Sequence, residues 1–430
     1  MSGTSAEGGP GRKRPFYGWL LVLVTILDGA FSSGTGVWGF SVFVRPMTAE
    51  LGWTRSAMYG ALTARSLLSG VFAPVIGPMQ DTRNGPRLLA IITTLTMVIA
   101  VVAQKWAGDL VWFYIIFGGM GALASFGSSE MLMTAVLPKW FIRSRGRALG
   151  IASIGTAMGP LIFPLLVTAL VEGLGWRDAW LALGLLTLVI LGPLSATVRT
   201  RPEDLGLLPD GDAAPVEGAA PRRIAALAAV HNYTRAEAVR TPSFWLLTGS
   251  FSLAMLTLSG MFGSLVPYFQ DIGFSTAEGG MATAAYGVGS ISTRVFWGAL
   301  CDRYPVRNVM ALQAAVTALS IAGFLAVQGL PGLLLAGFAH GLAIGGFFVM
   351  RPLIVANYFG RGHLGAINGI VRPFVTFASA FSPLLFAGMY DATGSYVTPF
   401  WIAVICWGLA AATALLAKPP VEPNKPPATA

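Results

Sequence analysis

Residues 298–307 read GALCDRYPVR and echo residues 77–87, which read GPMQDTRNGPR. A second pair repeats at nearly the same spacing: WFIRSRGRALGIA at 140–152 and YFGRGHLGAINGI at 358–370. The offset is 221 residues from Gly77 to Gly298 and 218 residues from Phe141 to Phe359. Separated segments that recur at nearly one offset indicate a duplicated unit, so we expect two similar halves.

Composition tells which solvent surrounds these halves. Apolar residues make up 54% of the 430-residue chain and charged residues only 11%, with a mean hydropathy of +0.67. A soluble protein needs about 25% charged residues to cover its surface. Most of this surface must therefore face lipid.

Apolar runs of roughly 20 residues, long enough to cross the hydrocarbon core as helices, surround the repeats. They are too long for the alternating strands of a membrane barrel, and the first is longer than the apolar core of a signal peptide. The sequence therefore predicts an all-α membrane protein with twelve transmembrane helices in two pseudo-symmetric six-helix bundles. The predicted spans are 17–44, 56–79, 87–106, 111–137, 147–171, 178–198, 243–270, 277–300, 307–328, 332–358, 363–389 and 395–417.

The basic residues give the orientation. The net charge of +9 does not indicate nucleic-acid binding, because the basic residues lie in short loops between apolar runs. Twelve spans place both termini on one side, and that side carries 20 Lys and Arg against four on the other (Arg45, Arg55, Lys105 and Arg177). The positive-inside rule then puts both termini in the cytoplasm.

The halves are separated by a stretch that cannot span a membrane. Residues 199–242 contain Pro202, Pro209, Pro215 and Pro221 and several acids, and we expect a cytoplasmic linker whose end, 233–242, forms a short interfacial helix. The predicted organisation is an N-terminal tail at 1–16, bundles at 17–198 and 243–417, and a C-terminal tail at 418–430. Parallel repeats of this kind place a substrate site between the halves near the midplane.

Few ionisable residues lie within the predicted spans, where each costs free energy and tends to mark a pathway or a buried pair. Four permanent cations face two acids, and this surplus favours an anionic ligand, since the guanidinium fork matches a carboxylate. The residues are Asp28, Arg65, Glu130, Arg294, Arg351 and Arg372, with His340 as a further candidate.

Each charge has a functional and a structural interpretation. Arg294 lies eight residues before Asp302, roughly 12 Å from the cytoplasmic edge, and is the first candidate for substrate binding, with Arg372 second. Arg351 either gates or pairs with Glu130 at comparable depth, and Arg65 either lines an outer vestibule or is structural. Asp28 and Glu130 are either proton carriers or acids that neutralise an arginine. Tyr286 and Trp297 are candidates to line the path, although most such aromatic residues only pack.

The two loops of the first repeat resemble motif A of the major facilitator superfamily, G-x-x-x-D-R-x-G-x-R. The second copy has Gly298, Asp302, Arg303 and Arg307, with Pro305 in place of glycine. The first copy has Gly77 and Asp81, but Thr82 replaces the basic residue and Gly85 and Arg87 are shifted by one. The resemblance implies the superfamily fold and a cytoplasmic gate in which these loops latch helix ends.

Other segments look like the monocarboxylate transporter and oxalate/formate antiporter branch. They are FYGWLLVLV (16–24), ELGWTRS (50–56), RGRALGIASIG (145–155), TPSFWLL (241–247) and YFGRGHLGAINGI (358–370). The resemblance implies that Arg294 binds substrate, whereas the basic residue of span eleven in oxalate carriers falls nearer Val375 than Arg372. Ser290 and Val37 or Trp38 stand where eukaryotic carriers have an aspartate and a lysine, so their proton-coupling scheme does not carry over.

We therefore expect a secondary transporter of small organic anions, a monocarboxylate or dicarboxylate, working by proton symport or anion exchange. The alternatives are a transporter of another solute (a drug, sugar or neutral nutrient), a non-transporting sensor on the same fold, and a membrane enzyme, for which no catalytic motif is present. We expect no enzyme activity, cofactor or metal, and a monomer in a bacterial inner membrane.

Overall fold

The computed structural model describes residues 16–211 and 231–420, and within these ranges the chain is helical without β-strands. The predicted all-α class is confirmed. Outside the described residues lie most of the predicted tails (1–15 and 421–430) and the middle of the predicted linker at 212–230, with Pro215, Pro221, Arg222 and Arg223.

Twelve spans follow from the described helices, which we number in chain order. Ten helical runs are long and apolar enough to cross a membrane. One of them has 52 residues and is interrupted at Gly175, whose φ is 78°, so it contains spans 5 and 6. Span 8 is long enough at 28 residues but less apolar, because it carries Arg294 and many small polar residues. The bounds are Tyr17–Leu51, Arg55–Asp81, Gly85–Trp106, Leu110–Trp140, Arg145–Ala196 for spans 5 and 6, Pro242–Asp271, Thr276–Arg303, Val306–Phe324, Gly329–Phe359, Leu364–Thr393 and Val397–Leu416.

Span 1 extends beyond its predicted end at residue 44. Its helix continues to Leu51 and stops at Gly52, which adopts the left-handed conformation with a φ of 69°. Hydropathy predicts where a span leaves the hydrocarbon core of the membrane, whereas the helix itself continues until a capping residue ends it.

Spans 4 and 10 are both broken in the middle. In span 4 a 3-10 turn at Ser125–Gly127 is followed by Ser128, whose ψ of −177° is extended. In span 10 the hydrogen-bond ladder is interrupted between Ile344 and Phe347, although Gly345 and Gly346 keep helical dihedrals. The repeat offset of 218 residues takes Gly127 to Gly345, so the duplicated unit includes this break. Backbone groups that lose their helical hydrogen bonds at membrane depth need polar partners or a cavity.

The two halves meet most closely through glycines in the duplicated loops. A Cβ atom on Gly146 would lie 2.0 Å from the carbonyl oxygen of Gly298, and one on Gly77 would lie 2.5 Å from that of Gly365. Span 5 therefore crosses span 8, and span 2 crosses span 11, at backbone contact. We call this end of the bundle, where residues 199–211 and 231–241 also lie, the linker end.

The described ends of the linker each bind one of the duplicated loops. The Asp210 carboxylate accepts hydrogen bonds from the amides of Ile142, Arg143 and Ser144 in the first half. Asn232 Oδ1 accepts from the amides of Arg361 and Gly362, at 2.8 Å each, in the second half. The two anchoring sites are equivalent in the repeat.

A short helix, Arg235–Val239, lies within the predicted 233–242 segment. Thr234 and Glu237 form a capping box at its start, and these hydrogen bonds hold the pKa of Glu237 below its usual value.

We predict that Gly298→Ala opens the linker end. The added carbon overlaps the Gly146 backbone, and this overlap cannot be relieved by rotating a side chain, so spans 5 and 8 must move apart. Spin labels at the exposed positions Asn84 and Arg303, in a cysteine-free background, should show longer distances by double electron–electron resonance. Gly388→Ala is the matched control, since nothing lies within 4 Å of that added carbon. Unchanged distances in Gly298→Ala would contradict close packing here.

Candidate functional site: a charge cluster between the halves

One carboxylate from the first half meets two guanidinium groups from the second. Glu130 Oε1 lies 2.5 Å from Arg351 Nη2, and Glu130 Oε2 lies 3.4 Å from Arg372 Nη2. The arginine side chains are 18% and 16% exposed and the glutamate 37%, so the glutamate faces open space. We call these three residues the charge cluster.

The break in span 4 sets the geometry of the charge cluster. Glu130 is in the first turn of the helix that restarts at Ser129, and Phe126 precedes the break. The Arg372 guanidinium lies 4.8 Å from the centre of the Phe126 ring and donates to Ser125 Oγ at 3.1 Å. Residues on both sides of the break therefore hold the same arginine.

A cavity adjoins the charge cluster. It is narrow and partly open to the surroundings. Polar and aromatic groups from both halves line it, among them Gln80, Phe126, Glu130, Arg351, Asn368 and Arg372. Convergent polar groups between two halves are found where a small-molecule site is expected in this architecture.

Arg294 crosses from span 8 to span 5 and is 5% exposed. Its Nη1 donates to the Ser153 carbonyl and to Thr156 Oγ1, the latter at 2.9 Å. Its guanidinium lies 5.5 Å from the ring of Phe348, one helical turn before Arg351. Within the described ranges Arg294 has no carboxylate at ion-pair distance, and its buried Nε has no hydrogen-bond partner.

The motif loops join the halves at the linker end. Asp81 accepts from the amides of Gly365 and Ala366 at 3.0 and 2.8 Å, at the start of span 11. Asp302 accepts from the amides of Gly146 and Arg147 at 2.6 and 3.1 Å, at the start of span 5. Each aspartate thus caps a helix of the other half, where the helix dipole favours negative charge.

Lys139 is a partner that sequence reasoning missed. Its buried ammonium group lies 3.2 Å from Asp81 Oδ1. The signal was available, since Lys139 directly precedes the repeated loop and Thr82 leaves Asp81 without the usual basic neighbour. Of the other predicted gate residues, Arg87 and Arg303 are exposed and Arg307 is half-buried. Arg147, which was not predicted to belong to the gate, has its Nε 3.4 Å from Asp302.

Two predicted candidates lie inside the first half, away from the charge cluster. Asp28 is buried and accepts hydrogen bonds from the Ser129 amide and from Ser32 Oγ. Arg65 donates to the Gly36 carbonyl at 3.5 Å and lies 5.6 Å from the Phe117 ring centre.

Three more lie inside the second half. Tyr286 stacks on His340 with ring centres 5.6 Å apart, and His340 Nδ1 lies 2.9 Å from Ser320 Oγ. The Trp297 indole donates to the Leu342 carbonyl at 2.8 Å, behind the break in span 10. The structure therefore places Arg294, Arg351, Arg372 and Glu130 between the halves, and Tyr286 lies within electrostatic reach of Arg294.

Comparison with known proteins identifies the family. The family model described as Major Facilitator Superfamily matches residues 27–275 and 252–430. The chain belongs to the Major Facilitator Superfamily. It is therefore an integral, multi-pass membrane protein of a transporter family.

Relatives in this superfamily narrow the branch. The chain is 26% identical over 354 residues to monocarboxylate transporter 11 of Homo sapiens, covering 80% of this chain and 71% of that protein. It is 24% identical over 411 residues to monocarboxylate transporter 12 of Rattus norvegicus, covering 89% and 82%. Its fold matches the proton:xylose symporter XylE with a TM-score of 0.69 at 18% identity, covering 92% of this chain and 94% of that one. The chain is thus a Major Facilitator Superfamily transporter related to monocarboxylate transporters.

We predict that Glu130→Gln destabilises the protein, because it leaves two guanidinium groups in the charge cluster without their counter-ion. A fully buried ion pair loses about 3–5 kcal/mol on such a change, and partial exposure of Glu130 reduces the expected cost to about 1–3 kcal/mol. Thermal unfolding of purified protein measures it. Glu172→Gln, at an exposed position, is the control. Equal unfolding temperatures for the two variants would contradict a structural role for the pair.

Proposed function

We propose that this transporter carries a small organic anion, a monocarboxylate or dicarboxylate, by alternating access, with proton symport or anion exchange as the driving process. One observation supports this above the others. Three guanidinium groups of the second half face the first half. In the part of the chain that the structure describes, a single carboxylate, Glu130, pairs with two of them, and Arg294 has none at ion-pair distance.

The surplus matters because of the surroundings. A charge inside a bilayer costs from about 2.5 to over 10 kcal/mol unless it is paired, and the surplus of two positive charges here makes an anion the solute that gains most. Arg294 is the proposed principal ligand, since its Nε has no hydrogen-bond partner among the described residues and its planar fork can bind a carboxylate through two parallel hydrogen bonds. The two relatives named monocarboxylate transporters favour the same substrate class.

Alternating access follows from which residues bridge the halves. Arg294 belongs to span 8 and holds span 5 through Ser153 and Thr156. A carboxylate bound to Arg294 competes with these contacts and changes how strongly the halves hold each other. Asp81 and Asp302 keep the linker end closed in this arrangement, and their release would open it.

Glu130 is the proposed coupling residue. A proton on Glu130 would remove its negative charge and free Arg351 and Arg372, so proton uptake and anion binding would favour each other. In exchange mode a second anion takes the place of the first, and Glu130 stays ionised. Arg372 contributes to the anion site in either mode.

The proposed setting follows the charge distribution of the loops. The positive-inside rule supports a cytoplasmic linker end with both termini on that side. A monomer in a bacterial inner membrane completes the proposed setting.

A counterflow screen in proteoliposomes tests the substrate class and the coupling. Lactate, pyruvate, acetate, oxalate, malonate and succinate should be compared with glucose and a cationic dye, with and without an inward proton gradient. We expect counterflow of at least one carboxylate and of neither control. A gradient that drives accumulation indicates symport, and gradient-independent exchange indicates antiport. Transport of a control solute alone would contradict the proposal.

We predict that Arg294→Gln reduces uptake of that carboxylate by at least about tenfold, the loss expected when a charged hydrogen bond is removed. Arg294→Lys should recover only part of it, because an ammonium group lacks the fork. Arg45→Gln, at an exposed arginine, is the matched control. Wild-type uptake at normal expression in Arg294→Gln would overturn the binding role of Arg294.

A further inference from the structure

The break in span 4 leaves backbone groups that no helix satisfies, and side chains from three directions replace the missing hydrogen bonds. Gln80 Nε2 donates to the Phe126 carbonyl at 3.2 Å. Ser128 Oγ donates to the Ser125 carbonyl at 2.8 Å. The Asp28 carboxylate accepts from the Ser129 amide. Because an unsatisfied backbone group inside a membrane is costly, these three contacts stabilise the break.

The broken turn cannot shift sideways toward span 3. A Cβ atom on Gly127 would lie 1.9 Å from Thr93 Oγ1 and 2.4 Å from the Leu89 carbonyl oxygen. The turn is therefore pressed against span 3 on one side, while Ser125 and Phe126 hold Arg372 on the other. Asp28 fixes the point at which the helix restarts, one residue before Glu130.

The equivalent break in span 10 is stabilised without a charge. The Leu342 carbonyl accepts from Thr293 Oγ1 and Trp297 Nε1 at 3.0 and 2.8 Å, and the Ala343 carbonyl accepts from Gln313 Nε2 at 3.0 Å. Gln313 corresponds in role to Gln80. The buried carboxylate that holds a restarting amide is thus a feature of span 4, whose restarting helix carries Glu130.

We propose that Asp28 is a positioning residue: by holding the Ser129 amide from inside the first half, it sets the place of Glu130 between Arg351 and Arg372. Asp28 touches neither arginine and lines a separate small cavity with Val24, Ala90 and Thr94. Its action on the charge cluster runs through the backbone of residues 128–130. The role needs an acceptor oxygen at this position and not a negative charge.

The chain offers a matched set of variants. Asp28→Asn keeps an acceptor oxygen, and Asp28→Leu removes it at similar volume. Ser129→Pro removes the donor instead, and its geometry is tolerated, since proline is favoured at the first position of a helix and the preceding Ser128 is extended. Thr35→Val removes a buried hydroxyl of span 1 that bonds only within its own helix, at the Phe31 carbonyl, and serves as the control.

The experiment measures how much Glu130→Gln lowers the unfolding temperature of purified full-length protein in each background. In wild type, Asp28→Asn and Thr35→Val we expect the full decrease. In Asp28→Leu and Ser129→Pro we expect less than half of it, because Glu130 no longer reaches both arginines. The double variant Asp28→Leu/Ser129→Pro should be no less stable than the worse single variant, as expected for one shared interaction.

Three results would overturn the proposal. Equal decreases in all backgrounds would mean that Asp28 does not position Glu130. Loss of the decrease in Asp28→Asn would mean that the charge of Asp28 matters, as for a proton carrier. Additive effects of Asp28→Leu and Ser129→Pro would mean that the two groups act separately. If Asp28→Leu does not fold, Ser129→Pro alone carries the comparison, and no outcome depends on knowing the substrate.

Discussion

A guanidinium group inside a bilayer must find a partner, and in this protein the partners are shared unequally between the halves. Arg294, Arg351 and Arg372 come from spans 8, 10 and 11. Among the described residues, Glu130 of span 4 pairs with Arg351 and Arg372, and Arg294 is held by a carbonyl and a hydroxyl of span 5. The halves are thus held together through charges that neither half satisfies alone. Closure at the linker end, through Asp81 and Asp302, adds contacts of the same kind, since each aspartate lies in one half and caps a helix of the other.

Duplication explains why the broken helices lie where they do. Spans 4 and 10 occupy equivalent places, and each breaks at the same point of the repeat. A continuous helix satisfies its own backbone and offers only side chains to a neighbour, whereas a broken one needs outside partners and so ties several spans to one point. Gln80 and Gln313 are such partners. The two breaks make spans 4 and 10 the places where each half is most dependent on its neighbouring spans.

The fold could be predicted from sequence because lipid imposes a strong rule: runs of apolar residues of sufficient length become helices. The repeat and the motif loops added the two-half arrangement. The details that the sequence did not predict depend on contacts between residues that are distant in the chain. Hydropathy ends span 1 at residue 44, but its cap is at Gly52. Position along the span predicted that Arg351 and Glu130 lie at the same depth. It could not predict which way a side chain faces, so it did not distinguish Asp28, inside the first half, from Glu130, which faces the second half. The hydropathy of a span does not reveal a break in its helix. Lys139 could not be distinguished from the other basic residues of the loops, although it pairs with Asp81.

The unequal sharing of charge also bears on how the chain is made. Ribosomes release the first half before the second, so span 4 and its glutamate are already in the membrane when spans 8, 10 and 11 arrive at the translocon. Each of those three brings an arginine that costs about 2.5–3.5 kcal/mol to insert, and span 8 is the least apolar of the long helices. The second half therefore inserts at a high free-energy cost when alone, and early packing against the first half, which is already in the membrane, lowers that cost.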